Sequence, residues 1–166
     1  MIPIFQTEYR KDATNRKIFM DRTFDAPLEN VWNAWTDKDT LDLWWAPEPW
    51  KTNTKSIQFE TGGHWHYAMK GPNGQCHWLI VKYISVDQQK QFHGKDSFCD
   101  EQGNAVTGFP GKEWKVTFTA VEDMTRVKVE LTFESEQQMT QLIEMGFEKG
   151  FARAHTNLDE ILKKQE

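Results

Sequence analysis

A strict alternation of apolar and polar residues between positions 114 and 134 is the feature that constrains the fold most. The apolar positions are Trp114, Val116, Phe118, Ala120, Val127, Val129, Leu131 and Phe133. Lysine, threonine and glutamate separate them, and Glu122-Asp123 breaks the pattern in the middle. Because successive side chains of a strand point to opposite faces, this pattern predicts an antiparallel hairpin with one buried face. A sheet of this kind needs a second layer of structure to cover that face.

The residues after the hairpin predict the covering layer. Ser135 is expected to cap a helix that continues to about residue 164. Apolar residues and two glycines recur at helical spacing: Met139, Leu142, Ile143, Gly146, Phe147, Gly150, Phe151, Ala154, Leu158 and Ile161. A helix rises about 1.5 Å per residue, so this one would cross a whole small sheet. We interpret Gly146 and Gly150 as points of close helix-to-sheet approach, with space for a ligand as the alternative.

The preceding residues predict two short helices between strands. Residues 17–24 form a first strand, a helix starts at Asp25-Ala26-Pro27, and a second opens near Thr36 and ends before Pro47. Further strands are predicted over 54–60, 64–70, 76–86 and 90–98. Residues 1–16 are expected to be a flexible arm, and residues 17–164 a single domain. The predicted fold is α+β, with a curved antiparallel sheet of about six to seven strands around a long C-terminal helix.

Charge and composition exclude several classes of function. The net charge is −5 and no stripe of lysine or arginine occurs, which argues against nucleic-acid binding. No segment approaches the roughly 18 consecutive apolar residues of a membrane span, and residues 1–17 do not resemble a signal peptide. Cys76 and Cys99 are too few for a disulfide scaffold. We therefore predict a cytoplasmic protein without a membrane span.

Seven short segments form a recognisable series along the chain: 24–27, 31–36, 44–47, 62–63, 69–74, 98–104 and 145–150. Taken in this order, they resemble the Activator of Hsp90 ATPase homologue 1-like family within the START-like, or SRPBCC (Bet v 1-like), superfamily. The resemblance implies a helix-grip fold whose cavity, between sheet and C-terminal helix, holds a lipid, sterol, polyketide or similar apolar molecule. Eukaryotic Hsp90 activators carry an additional activating domain with no counterpart in this sequence. The family resemblance therefore says little about chaperone activity. A chaperone or other protein partner is an alternative expectation, which exposed tryptophans between positions 44 and 50 would favour.

Aromatic residues on the predicted inward faces are the candidate ligand-binding side chains. The set is Trp44, Trp45, Trp50, Trp65, Tyr67, Met69, Trp114, Phe118, Phe147 and Phe151. The resemblance places Trp44, Trp45 and Trp50 near the mouth of the cavity. Such rings would hold an apolar or planar ligand, with the Tyr67 hydroxyl as a polar contact. The alternative is that the rings pack against one another and fill the cavity.

Motifs of catalysis and metal binding are weak in this sequence. His64 and His66 share one strand face and would need His77 and a carboxylate to hold a metal, so we predict neither a metal nor a cofactor. His155 is expected on the surface or as a hydrogen-bonded core residue. For a cyclase-like enzyme, Arg22 and Glu60 are the nearest acid–base candidates, and an ion pair or a solvated edge is the simpler interpretation. The sequence thus predicts a non-enzymatic binding protein, with a protein-interaction module and a cyclase-like enzyme as alternatives.

Overall fold

Eight strands form one antiparallel sheet in the computed structural model, which describes residues 6–107 and 111–164. The order across the sheet is β1-β2-β8-β7-β6-β5-β4-β3. The strands are β1 (Glu8–Asp12), β2 (Lys17–Phe24), β3 (Lys51–Gln58), β4 (His64–Lys70), β5 (Cys76–Asp87), β6 (Gln91–Cys99), β7 (Glu113–Val121) and β8 (Met124–Thr132). The predicted β7–β8 hairpin is confirmed, with Trp114 opposite Leu131 and Phe118 opposite Val127 on the buried face.

Four helices cover the concave face of this sheet: α1 (Leu28–Thr36), α2 (Lys38–Trp44), α3 (Glu136–Glu144) and α4 (Phe147–Lys163). The Asp37 side chain caps α2 by accepting a hydrogen bond from the Thr40 amide. Helix α4 contacts both α1 and α2, so the three helices form one layer over the sheet. The predicted α+β helix-grip architecture, with two short helices after the strand at 17–24, is confirmed.

The sheet has one strand more than predicted at its N-terminal edge. Strand β1 lies within the segment 1–16 that we expected to be a flexible arm, and it pairs antiparallel with β2. The Arg10 guanidinium lies 4.1 Å from the centre of the Phe19 ring, and Tyr9 packs against the hydrophobic core. Backbone pairing and these contacts order a segment whose sequence is too polar to signal a strand. Residues 1–5 of the predicted arm lie outside the described residues.

The predicted long C-terminal helix is interrupted at Gly146. Helix α3 ends there because Gly146 adopts a left-handed backbone with φ of 84°, and α4 starts with the next residue. The interpretation of Gly146 as a point of close packing is wrong, since a Cβ atom at this position would meet nothing within 4 Å. At Gly150 a Cβ atom would make only an ordinary contact of 3.5 Å with Pro47.

The two glycines therefore predict opposite effects of the same substitution. Gly146→Ala is expected to lower the free energy of unfolding by about 1–2 kcal/mol, because an L residue is strained at positive φ. Gly150→Ala is expected to raise it by about 0.5–1 kcal/mol, because alanine favours a helix interior. Urea denaturation of both variants checks this pair. A stability loss in Gly150→Ala as large as that in Gly146→Ala would contradict the assignment.

Candidate functional site

An aromatic cluster fills the space between the concave face of the sheet and α4. Trp45, which follows directly after α2, lies at its centre. Its ring centroid is 5.1 Å from Trp65, 5.4 Å from Trp44 and Trp114, 5.7 Å from Phe151 and 6.0 Å from Trp35. Most of these pairs meet edge to face, the arrangement that ring quadrupoles favour. One indole thus connects the helix pair α1–α2, the sheet and α4.

The cluster contains every predicted ligand-binding residue except Trp50 and Met69. Phe118 joins through Trp35 at 5.8 Å, and Phe147 through Trp114 at 6.4 Å. Trp50 is half-buried beyond the cluster, where it stacks on His77 at 5.6 Å. Met69 is half-buried and packs at the edge of the core. Trp44, expected near the mouth, is fully buried at 0 % exposure. The sequence therefore grouped most of these residues, although several lie deeper than expected.

In this conformation the rings pack against one another, as the filled-core alternative expects. Trp65 and Tyr67 stack at 4.0 Å and Phe147 and Phe151 at 5.4 Å. Close-packed protein interiors leave few spaces larger than a water molecule. A molecule that binds at this cluster must therefore displace side chains or separate α4 from the sheet.

Buried hydrogen bonds satisfy most of the indole N–H groups in the cluster. Trp44 donates to the Ala34 carbonyl at 2.9 Å, Trp65 to Thr54 Oγ1 at 3.0 Å, and Trp114 to Asp96 Oδ2 at 2.6 Å. Trp45 donates to the Tyr67 hydroxyl at 3.1 Å. Burial raises the pKa of Tyr67 well above its ordinary value, and the nearby Asp96 adds to this. The Tyr67 hydroxyl, our predicted polar contact for a ligand, is thus neutral and accepts a hydrogen bond from Trp45.

Two nitrogen atoms at the base of the cluster have no hydrogen-bond partner in the described part of the chain. They are Nε1 of Trp35 and Nε2 of His155, whose ring centroids lie 6.0 Å apart. The other ring nitrogen of His155, Nδ1, is 2.8 Å from Thr7 Oγ1. An indole N–H can only donate, and a buried polar atom without a partner is energetically unfavourable. A bound molecule with a polar group would therefore gain by pairing with these two atoms.

The charge state of His155 follows from its surroundings. Burial lowers its pKa to about 3, and the positive charge of Arg22 acts in the same direction. Arg22 is 3 % exposed and forms an ion pair with Asp159, one turn along α4 from His155. Burial raises the pKa of Asp159 despite that ion pair. His155 is consequently a neutral imidazole at pH 7, enclosed by Phe24, Trp35, Trp44 and Phe151.

Sequence reasoning did not identify His155 as a functional candidate, although it allowed a hydrogen-bonded core position. Its spacing carried a signal, because position 155 lies four residues after Phe151 and next to Ala154 on the apolar stripe. Nothing in the pattern indicated that Trp35 would reach the same place from α1. Arg22, a candidate for an enzyme, is indeed in an ion pair, whereas Glu60 is exposed near the Gly62-Gly63 bend.

The histidine arrangement that would have suggested a metal is not formed. Cross-strand pairing places His66 opposite Ile80 and His77 opposite Met69, so His77 lies on the face of the sheet opposite to His64 and His66. Within residues 6–107 and 111–164, no three side chains of His, Cys, Asp or Glu are grouped to hold a metal ion. Among the described helices, none is long and apolar enough to cross a membrane.

Comparison with known proteins gives the family. The sequence model of the Activator of Hsp90 ATPase homolog 1-like protein matches residues 25–163. A solution structure of a protein from Arthrobacter aurescens is 30% identical with a TM-score of 0.87, over 95% of this chain and 91% of that one. Crystalline Ms6760 from Mycobacterium smegmatis is 26% identical with a TM-score of 0.86, over 95% and 96% of the two chains. Among curated proteins none matches this sequence.

Membership is thus supported by the sequence match and by the shared fold, and this family supports a binding function. The match begins at the residue after β2 and ends at the last residue of α4, so it includes helices α1 to α4 and strands β3 to β8. The chain belongs to the Activator of Hsp90 ATPase homolog 1-like family.

Proposed function

We propose that this protein binds a small apolar molecule that carries a hydroxyl group, in the aromatic cluster between the sheet and α4. The observation that carries the proposal is the pair of unpartnered nitrogens, Trp35 Nε1 and His155 Nε2, inside an otherwise apolar enclosure. Ligand sites in proteins combine apolar walls with a few polar groups that fix orientation. Hydroxylated aromatic compounds and sterol-like molecules have this chemistry.

A hydroxyl group suits both nitrogens whichever tautomer His155 adopts. If Nδ1 carries the proton, Nε2 accepts a hydrogen bond from the ligand while Trp35 donates one to it. If Nε2 carries the proton, the hydroxyl oxygen accepts from both rings through its two lone pairs. Because His155 is neutral at pH 7, neither of the two unpartnered nitrogens carries a charge that would favour an ionised ligand over a neutral one.

Access to the cluster requires that the covering helices move, and their anchoring is uneven. Helix α3 buries only Met139, and α3 joins α4 through the left-handed Gly146. Phe147, at the start of α4, is half-buried, whereas Leu158 and Leu162 near its end are fully buried. We infer that α3 and the first turn of α4 move away from Trp114 while the end of α4 stays in place.

The matched pair of 2-naphthol and naphthalene tests the hydroxyl requirement. We expect 2-naphthol to bind saturably and to shift the Trp35 indole resonance in two-dimensional amide NMR. Trp35→Phe should weaken 2-naphthol binding roughly three- to tenfold, since one net hydrogen bond is lost, while naphthalene binding changes much less. Trp78→Phe, on the outer face of the sheet, is the control and should leave both affinities unchanged.

Two results would overturn this proposal. One is the absence of any saturable shift in the cluster with either compound. The other is an equal weakening of 2-naphthol and naphthalene by Trp35→Phe, which would mean that the ring contributes only by packing. Urea denaturation of each variant shows whether the fold is intact before the titrations are compared.

Two alternative functions, a protein-interaction module and a cyclase-like enzyme, have weaker support than ligand binding. A protein-interaction module would expose tryptophans between positions 44 and 50, but Trp44 and Trp45 are buried. A cyclase-like enzyme needs a buried titratable group with a shifted pKa, and His155 meets that requirement. Mass spectrometry of a bound ligand after prolonged incubation separates binding from catalysis. Recovery of the ligand with unchanged mass and unchanged chromatographic retention supports a binding protein. A new chromatographic peak, whether its mass is the same or different, supports an enzyme.

A further inference from the structure

A groove on the outer face of the sheet lies opposite the aromatic cluster and is independent of it. Its volume is about 510 Å³, within the range of small-molecule sites. His64 and His66 of β4 form the floor together with Ile80 and Lys82 of β5. The bulge at Lys55 in β3 borders one side, and Gln102 and Gly103 border the other.

The charge of this groove differs from that of the whole protein. The chain has a net charge of −5, yet two lysines and two histidines line the groove and no carboxylate residue does. Lys82 pairs across the sheet with His64 on one side and Lys95 on the other. Lys95 has Glu134 as an ion-pair partner at 3.0 Å, whereas Lys82 has no ion pair in the described part of the chain. Among the described side chains, Lys82 is therefore a cation without a counter-charge, and an anion in the groove would supply one.

The turn after β6 holds His66 in a fixed orientation beneath the groove. His66 is 5 % exposed, and its Nε2 lies 3.2 Å from the Asp100 carbonyl, so Nε2 is the protonated donor. The Asp100 carboxylate accepts hydrogen bonds from the amides of Gln102 and Asn104 and thereby fixes the turn. This use of the carboxylate lowers the pKa of Asp100 and keeps its negative charge within the turn. Lys55 Nζ donates to the Glu101 carbonyl at 2.7 Å, which attaches the bulge to the same turn.

The geometry points to a binding site for a small organic anion, a carboxylate or phosphate attached to an apolar body. Lys82 and Lys55 supply positive charge, Gln102 supplies a hydrogen-bond donor, and the buried Ile80 with the His66 ring supplies an apolar floor. The Ser56 hydroxyl is paired with His64 Nε2 at 2.8 Å and holds that ring at the edge of the groove. Charge-assisted hydrogen bonds of this kind are stronger than those between neutral groups. The rigid turn and the paired strands hold these groups in place before an anion arrives.

Titration with benzoate, phenyl phosphate and neutral benzyl alcohol at low ionic strength tests this inference. We expect both anions to shift the ring resonances of His64 and His66 saturably, and benzyl alcohol not to do so. Lys82→Gln should weaken anion binding roughly five- to tenfold. Lys115→Gln is the matched control, because Lys115 is an exposed lysine in β7, which β6 separates from β5, and it lies outside the groove.

Three results would overturn the proposed anion site. They are the absence of a saturable shift with either anion, equal binding of benzyl alcohol, and a weakening of binding by Lys115→Gln as large as that by Lys82→Gln. Preference for phenyl phosphate over benzoate would identify phosphate as the anion, and the reverse a carboxylate. Shifts at Trp35 without shifts at His64 and His66 would mean that the probes bind only in the aromatic cluster.

Discussion

Replacing Trp45 by alanine is expected to lower the free energy of unfolding by about 3–5 kcal/mol. The Trp45 ring lies within 6.0 Å of five other rings of the cluster, and its N–H donates to the buried Tyr67 hydroxyl. Its removal would leave a large cavity and an unpaired acceptor in one step. Urea denaturation monitored by circular dichroism gives the change directly.

Trp50→Ala is the matched control, because it removes the same side chain from the same segment. Trp50 is half-buried and its stacking partner is His77, so we expect a loss of only about 0.5–1.5 kcal/mol. Equal losses in the two variants would contradict the close packing of the cluster. They would indicate a loose interior with a cavity already open to ligands, which would also remove the need for α3 to move.

Acidification is expected to destabilise the protein between pH 6.5 and 4, and His155→Gln is expected to remove much of that effect. Burial lowers the pKa of His155 from 6.5 to about 3. In the unfolded chain the imidazole takes up a proton as pH falls below 6.5, whereas the folded protein keeps it neutral. The part of the folding free energy that is linked to His155 is therefore fully present above pH 6.5 and is lost progressively as the pH falls toward 3. A tenfold difference in proton affinity between the folded and unfolded chain corresponds to about 1.4 kcal/mol, so the full effect is on the order of 4–5 kcal/mol.

The window above pH 4 separates His155 from the carboxyl groups whose pKa values are lowered on folding. The lowered pKa values of Asp12 and Asp100 remove stability only below their ordinary value of 3.8. The raised pKa of Asp159 acts in the opposite direction, because its folded form binds a proton more readily. The measurement is the free energy of unfolding at several pH values for the wild type, His155→Gln and the exposed control His77→Gln. An unchanged slope in His155→Gln would show that the imidazole is not the group responsible.

The two proposed sites use the alternation of strand side chains in different ways. Trp65 and Tyr67 point into the aromatic cluster, while His64 and His66, from the same strand β4, point into the outer groove. Strand β4 thus borders both proposed sites, with aromatic rings on one face and imidazole rings on the other. Because the two faces are separated by the sheet, Trp35→Phe and Lys82→Gln are expected to affect their own sites only.

The sequence by itself determined the elements whose periodicity is set locally. The β7–β8 hairpin, strand β4 and the two short helices follow from alternation, capping residues and prolines, all of which act over a few neighbouring residues. The inward direction of Trp65 and Tyr67 followed from the same alternation. Membership in the family was predicted from short segments in order, and the match over residues 25–163 confirms it.

Tertiary structure decided the features that depend on residues far apart in the chain. Strand β1 forms because β2 offers a free edge, and the break at Gly146 depends on a backbone angle that the apolar stripe does not reveal. Thr7 and His155, 148 residues apart, meet only when β1 and α4 are in place. His64, His66 and His77 looked like one group in the sequence, yet the register of β4 and β5 puts His77 on the other face. Local pattern predicts which face a side chain occupies, whereas register and packing decide which distant groups share that face and which polar atoms stay unpaired.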